Sequence, residues 1–70
     1  MTIMQIGHTI KSRRKELGIT QTVLAELAEV SKNTIYKLER GESNPTLGMV
    51  TALLEILGLN LRIEVKKIEA

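Results

Sequence analysis

The chain has 70 residues and a formal net charge of +2, and a sequence of this length can bury only one modest hydrophobic core. It contains no cysteine, no aspartate and one histidine, which excludes disulfides and leaves too few groups for a catalytic triad or a metal-ligand cluster, so we expect no enzyme activity, metal or cofactor. It has no apolar run long enough to cross a bilayer and no export signal, so we expect a cytoplasmic protein without a membrane partner.

The first predicted helix runs from about Gln5 to Leu17, and Gly18 follows it as a typical residue beyond a helix C-terminus. Arg14 falls among the inward apolar positions of this helix, which are Ile6, Ile10 and Leu17, so we expect it to have a structural role. Arg13 lies outside those inward positions, so of the two arginines it is the one free to bind an anion such as a phosphate. Considered alone, the basic run at residues 11–15 would indicate only a solvated helix face.

Residues 21–40 predict two short amphipathic helices joined by a tight turn. Thr20 is the expected N-cap of the first of these helices. Its apolar stripe consists of Leu24, Ala25, Leu27 and Ala28. Two helices that cross steeply over so short a turn need a small side chain where they approach most closely, and Ala25 provides it.

The second helix of this pair begins after Ser31, its expected N-cap, and turns Ile35 and Leu38 inward. The side chain of Val30 is expected to pack into the core and to anchor the turn between the two helices. The face turned to solvent then carries small polar and basic side chains, namely Lys32, Asn33, Thr34 and Lys37.

A fourth helix is predicted after the turn at residues 44–46, because apolar residues there recur at intervals of three and four. They are Leu47, Val50, Leu53, Leu54 and Leu57. The free N–H groups at the start of this helix suit an anion such as a phosphate. Asn44 is either a neighbour of that phosphate or a plain turn-forming residue.

After Gly58 the chain alternates apolar and polar residues, which predicts a half-buried strand. A lone strand leaves its backbone groups unpaired, so we expect it to pair with the same strand of a second subunit. The residues of this dimerisation strand are Leu59, Leu61, Arg62, Ile63, Glu64 and Val65. If the two-fold axis passes at Ile63, Arg62 faces the partner's Glu64. The alternatives are an extension packed on the fourth helix and a disordered end, and Thr2 to Ile6 could add a short strand.

The segment QTVLAELAEVSKNTIYKLER at residues 21–40 resembles the helix-turn-helix of the Cro and phage-repressor type, also called XRE-like. The resemblance extends to IKSRRKELGITQ before it and to ERGESNPTLGMVTALLEILGL after it. It implies a mainly α fold with a four-helix DNA-binding domain in residues 1–58. The alternating segment that follows is expected to form a dimerisation strand and tail in residues 59–70. The implied function is a transcriptional regulator that binds double-stranded DNA. With the paired tails, we expect a dimeric repressor on a palindromic operator.

The resemblance also implies roles for individual residues. The residues expected to contact DNA bases are Lys32, Asn33, Thr34 and Lys37. Those expected to contact phosphates are Gln21, Thr22, Arg13, Tyr36 and Asn44, although Tyr36 could instead pack against the first helix. An internal ion pair is implied between Arg14 and Glu39. The position of Glu29 is commonly glycine in this family because it needs positive φ, which costs another residue about 1 kcal/mol.

The tail segment LGLNLRIEV is similar to that of the HipB-type antitoxin regulators, whose C-terminal strands join in a dimer. That resemblance implies a HipA-like toxin as a candidate partner and repression of the protein's own operon. The alternative function is therefore a protein-interaction antitoxin whose DNA contacts are secondary.

Overall fold

A computed structural model describes residues 1–66 and contains four helices in that range. They are α1 (Ile3–Glu16), α2 (Gln21–Ala28), α3 (Lys32–Glu39) and α4 (Leu47–Ile56). The mainly α, four-helix architecture expected from the sequence is confirmed. None of these helices combines the length and the apolar character needed to span a bilayer.

Each helix begins at a hydroxyl-bearing N-cap, which fixes its start. The side-chain oxygens of Thr2, Thr20, Ser31 and Thr46 each accept the backbone N–H three residues further on. In α1 the cap is reciprocal, because the side chain of Gln5 accepts the N–H of Thr2 at 2.7 Å. The expected helix start near Gln5 was therefore too late, and the short strand expected at Thr2 to Ile6 was wrong.

The hydrophobic core lies where all four helices meet. Its fully buried side chains are Ile10, Leu24, Ile35, Leu38, Leu53 and Leu57. Three leucines that the periodicity placed inward are instead exposed, namely Leu17, Leu27 and Leu47. Leu17 and Leu47 stand at a helix end, beyond the packed turns, and Leu27 falls at the edge of the stripe defined by Leu24, Ala25 and Ala28.

The helices α1 and α3 approach each other closely at Gly7, which is buried. A Cβ atom added at Gly7 would clash with the carbonyl oxygen of Leu38 and lie 3.1 Å from that of Glu39. Only a residue without a side chain fits here. The position of α3 on α1 is thus set by backbone contact.

The turn between α2 and α3 places Glu29 in the left-handed region, with φ 57° and ψ 40°. The chain then turns back, and the N–H of Val30 donates to the carbonyl oxygen of Ala25 at 3.0 Å. This is the position at which the family resemblance implied glycine. Glu29 therefore carries backbone strain in the turn that sets the angle between α2 and α3.

We expect Glu29→Gly to raise the free energy of unfolding by up to about 1 kcal/mol, because glycine adopts positive φ without steric cost. Chemical denaturation with circular dichroism measures the change. Gly18→Ala is the matched control: Gly18 has φ +70° and open space around an added Cβ, so only backbone strain is introduced and stability should fall by a similar amount. A loss of stability in Glu29→Gly would contradict this interpretation.

The described part of the tail, residues 59–66, carries no regular secondary structure. Leu59 packs against the core, whereas Ile63 and Val65 are 91% and 98% exposed. Arg62 and Glu64 form an ion pair within the same chain, with a distance of 3.5 Å between Nη2 and Oε1. The strand pairing across a dimer stays a prediction. The end of the expected tail, residues 67–70, lies outside the described residues.

Candidate nucleic-acid interface

The helix α3 has one buried face and one exposed face. Ile35, Leu38 and Glu39 are buried, while Lys32, Asn33, Tyr36 and Lys37 are exposed. At 3.6 residues per turn, these four exposed residues fall within a sector of about 140°. We call them the α3 stripe. It presents two ammonium groups, one amide and one phenol to solvent on a rigid support.

The first turn of α3 is fixed by Ser31 and Thr34. Ser31 Oγ accepts the N–H of Thr34 at 3.1 Å and lies 2.8 Å from Thr34 Oγ1. Thr34 is half-buried, and its hydroxyl is engaged with the N-cap. Its methyl group is therefore the part better placed for a contact with DNA, and that contact stays a prediction.

Behind the α3 stripe lies a buried ion pair between Arg14 of α1 and Glu39 of α3. Arg14 Nε and Nη2 donate to the two carboxylate oxygens of Glu39 at 2.8 and 3.0 Å. The side chains are 10% and 2% exposed. Arg14 Nη1 also donates to the carbonyl oxygen of Ile19 at 2.9 Å. One guanidinium thus joins α1, α3 and the turn before α2. The family resemblance implied the ion pair between Arg14 and Glu39 but not the bond to Ile19.

Gln21 joins this network from the start of α2. Its Nε2 donates to Glu39 Oε1 at 3.1 Å, which holds the half-buried amide beside α3. This contact was not foreseen in the sequence, because it depends on how α2 packs on α3. A buried carboxylate therefore orients a side chain that the resemblance assigned to a DNA phosphate.

An open groove runs from the turn before α2 to the start of α3, and its lining includes Thr20, Gln21, Thr22 and Lys32. The N–H groups of Gln21 and Thr22, at the start of α2, have no partner within the helix, whereas the N–H of Val23 donates to the hydroxyl of Thr20. Such free N–H groups attract anions. The ammonium of Lys32 adds positive charge to the same groove.

Arg13 has an intramolecular partner that the sequence did not reveal. Its Nε donates to the carbonyl oxygen of Leu57 at 2.8 Å, and its Nη1 lies 3.6 Å from a carboxylate oxygen of Glu16. Arg13 therefore caps the C-terminus of α4, where the last carbonyl groups lack helical partners. Contact with a phosphate stays a prediction for Arg13, and it would compete with this bond. Asn44, also expected near a phosphate, is exposed in the turn before α4.

The end of α3 carries a cluster that the sequence analysis did not single out. The guanidinium of Arg40 lies 5.4 Å from the ring centroid of Tyr36, and its Nε donates to Glu42 Oε1 at 2.8 Å. The hydrogen bond with Glu42 raises the pKa of Arg40. The exposed ring of Tyr36 thus faces Arg40. The spacing of four residues between Tyr36 and Arg40 is the signal that could have revealed this pair.

Two helices joined by a tight turn, the second exposing basic and amide groups, define the helix-turn-helix class of DNA-binding domains. The model of the helix-turn-helix family HTH_3 matches residues 10–63. The chain belongs to this family, which is the Cro and phage-repressor type.

Proteins similar to this chain are named as repressors and regulators. The immunity repressor protein of Bacillus phage phi105 is 38% identical over 58 residues, which are 83% of this chain and 40% of the phage protein. An HTH-type transcriptional regulator of Methanothermobacter thermautotrophicus is 43% identical over 49 residues, or 70% of this chain and 71% of the regulator. The chain thus spans less than half of the phage repressor.

Among solved structures, the clp gene regulator ClgR of Corynebacterium glutamicum is similar, with a TM-score of 0.80 and 27% identity. The match covers 84% of this chain and 63% of that chain. The names of these proteins lend no support to the HipA-like toxin partner or to the HipB-like tail that the sequence suggested.

Proposed function

We propose that this chain is a sequence-specific DNA-binding transcriptional regulator that places α3 in the major groove. The observation that carries the proposal is the α3 stripe, supported by the buried ion pair of Arg14 and Glu39 and by the half-buried Gln21. A reading helix must be rigid, because each hydrogen bond to a base edge requires a fixed position of its donor. The names of the relatives, repressors and transcriptional regulators, support the same function.

Within the stripe, Lys37 and Lys32 suit the O6 and N7 acceptors of guanine, and Asn33 suits the N6 and N7 atoms of adenine. Thr34 would offer its methyl group to a thymine methyl. These side chains occupy the first two turns of α3, the part of a recognition helix that contacts base edges.

A DNA phosphate is proposed to occupy the groove at the start of α2. There it would meet the free N–H groups of α2 together with Gln21, Thr22 and Lys32. Such contacts fix the register of the protein on the duplex and are independent of base sequence. Tyr36, with its exposed hydroxyl, is a further phosphate contact in this proposal.

The regulator is proposed to act as a homodimer on a two-fold-symmetric operator, with half-sites about one helical turn, or ~34 Å, apart. The exposed apolar side chains of Ile63 and Val65 support pairing of the tails, because such side chains gain by burial against a second copy. A dimer bound over the promoter of its own operon would repress transcription by excluding the polymerase.

Lys37→Ala tests the reading role. We expect it to weaken binding to a site selected from a randomised duplex pool by about 1 to 3 kcal/mol and to relax the preference at one base pair. Fluorescence anisotropy on the selected site and on its single-base variants measures both effects. An unchanged preference profile would remove Lys37 from the base-contacting set.

Gln21→Ala serves as the matched comparison for a contact that is independent of sequence. We expect it to weaken binding by a similar factor on the selected site and on an unrelated duplex, because a phosphate is present in every sequence. Titrations of both duplexes at one salt concentration give the two factors. A loss confined to the selected site would contradict the phosphate role.

A further inference from the structure

The exposed face of α3 continues beyond Lys37 to Arg40. Arg40 follows Tyr36 by four residues and Lys37 by three, so it lies on the same side of the helix. It is the C-cap of α3 and keeps right-handed helical geometry, with φ −90° and ψ −4°. A third cation thus extends the α3 stripe at its C-terminal end.

Glu42 is the partner of this cation in the free protein. The side chains of Arg40 and Glu42 are 55% and 49% exposed, and the bond between them spans only two residues. Ion pairs at this exposure contribute little to stability, because solvent screens them and two long side chains lose freedom. The pair is therefore not required for folding, and Arg40 can readily exchange Glu42 for another anion.

We propose that Arg40 contacts a DNA phosphate at the C-terminal end of α3, and that Glu42 occupies its guanidinium in the free protein and so lowers the affinity for DNA. The inference rests on the DNA-binding function proposed above and assigns two further residues to it.

A phosphate is the natural replacement for Glu42, because the guanidinium fork binds carboxylates and phosphates with the same N–H donors. Among the described residues, Nε is the atom of Arg40 with a hydrogen-bond partner, so its Nη groups can donate to such an acceptor. Residues near the N-terminus of a recognition helix contact base edges, so a residue at its far end faces the sugar-phosphate backbone. The target of Arg40 is therefore a phosphate and not a base.

Glu42 opposes this contact in either of two ways. If Arg40 leaves it, the ion pair is lost; if Arg40 keeps it, a carboxylate stays within a few ångströms of a phosphate and repels it. Removing the negative charge of Glu42 relieves both costs. The 2.8 Å hydrogen bond from Arg40 Nε to Glu42 Oε1 shows that the two side chains are paired in the free protein.

The test measures the dissociation constants of the wild type, Glu42→Gln, Arg40→Ala and the double variant on a selected duplex and on an unrelated one. We expect Glu42→Gln to bind both duplexes about two- to five-fold more tightly, because an exposed ion pair in the free protein no longer opposes binding. Arg40→Ala should bind both more weakly and lower the slope of log K against log salt by about one, as for one lost phosphate contact. In the Arg40→Ala background, the gain from Glu42→Gln should largely disappear.

Glu55→Gln is the matched control, because Glu55 is an exposed glutamate of α4 and its change alters the net charge equally. Equal effects of Glu42→Gln and Glu55→Gln, or a full gain from Glu42→Gln without Arg40, would overturn the inference. If the wild-type chain bound neither duplex, the proposed function itself would fail. Thermal unfolding of each variant shows whether the fold is retained, which we expect because both side chains are exposed.

Discussion

Glu39→Met should lower the free energy of unfolding by about 3 to 5 kcal/mol, because it leaves the buried guanidinium of Arg14 without its counter-charge. Arg14 makes two hydrogen bonds to Glu39 and one to the carbonyl oxygen of Ile19, and only the last would remain. Domains of this size have a total stability of the same order, so a large unfolded fraction is expected. Denaturant titration followed by circular dichroism measures it.

Two further variants show whether the loss of stability comes from an unpaired buried charge. Arg14→Met together with Glu39→Met should be more stable than Glu39→Met alone, because the double variant buries no unpaired charge. Glu16→Met is the matched control: its carboxylate is exposed and lies 3.6 Å from Arg13, so it should cost less than about 1 kcal/mol. A Glu39→Met variant as stable as Glu16→Met would contradict the structural role of the pair.

Gly7→Ala should destabilise the protein by about 1 to 3 kcal/mol, the usual cost of overpacking. The added methyl group would press on the carbonyl oxygens of Leu38 and Glu39, which belong to helical backbone and cannot rotate away. The α1–α3 contact would have to open, and the ion pair between these helices would be disturbed with it. Thermal and denaturant unfolding report the loss.

Gly48→Ala makes the same chemical change but should raise the stability instead of lowering it. Gly48 lies in α4, is exposed and has only Thr46 Oγ1 near an added Cβ, at 3.9 Å. Alanine is the better helix former, so we expect about 0.5 to 1 kcal/mol of added stability. A Gly7→Ala variant that behaved like Gly48→Ala would show that α1 and α3 are not in backbone contact.

The helices could be predicted from the sequence because their signals are local. Thr20 and Ser31 mark the starts of α2 and α3, and the apolar spacing of Ile35 and Leu38 identifies the inward face of α3. Such caps and periodicities act within one or two helical turns, so an isolated sequence contains them. Lys32, Asn33 and Lys37 of the α3 stripe follow from this pattern. Thr34, expected on the same face, is half-buried, and the position of Tyr36 was left open by the sequence.

The supporting contacts could not be predicted in the same way, because they join distant parts of the chain. Arg13 reaches Leu57, 44 residues away, and Gln21 reaches Glu39, 18 residues away. The need for glycine at Gly7 likewise depends on the backbone of α3. The periodicity predicts whether a side chain points inward or outward, but it does not predict which distant residue that side chain contacts. The local capping box of Thr2 and Gln5 was within reach of the sequence and was overlooked.

The buried network links the stability of the domain to its proposed function. Arg14 fixes α3 on α1, and Glu39 in turn fixes the amide of Gln21 in the groove at the start of α2, where a phosphate is proposed to bind. A side chain held by a second layer of hydrogen bonds meets its ligand without first losing conformational freedom. Loss of Glu39 is therefore expected to affect phosphate contact as well as folding.

The central claim is that the α3 stripe reads the major groove as one of a two-fold pair. Its most direct test is selection of binding sites from a randomised duplex pool, followed by interference mapping with guanine N7 methylation. We expect enrichment of an inverted repeat whose half-sites are centred about one helical turn, or ~34 Å, apart, with interference from methylated guanines inside each half-site. Absence of an enriched sequence, or an enriched site insensitive to major-groove methylation, would contradict the account.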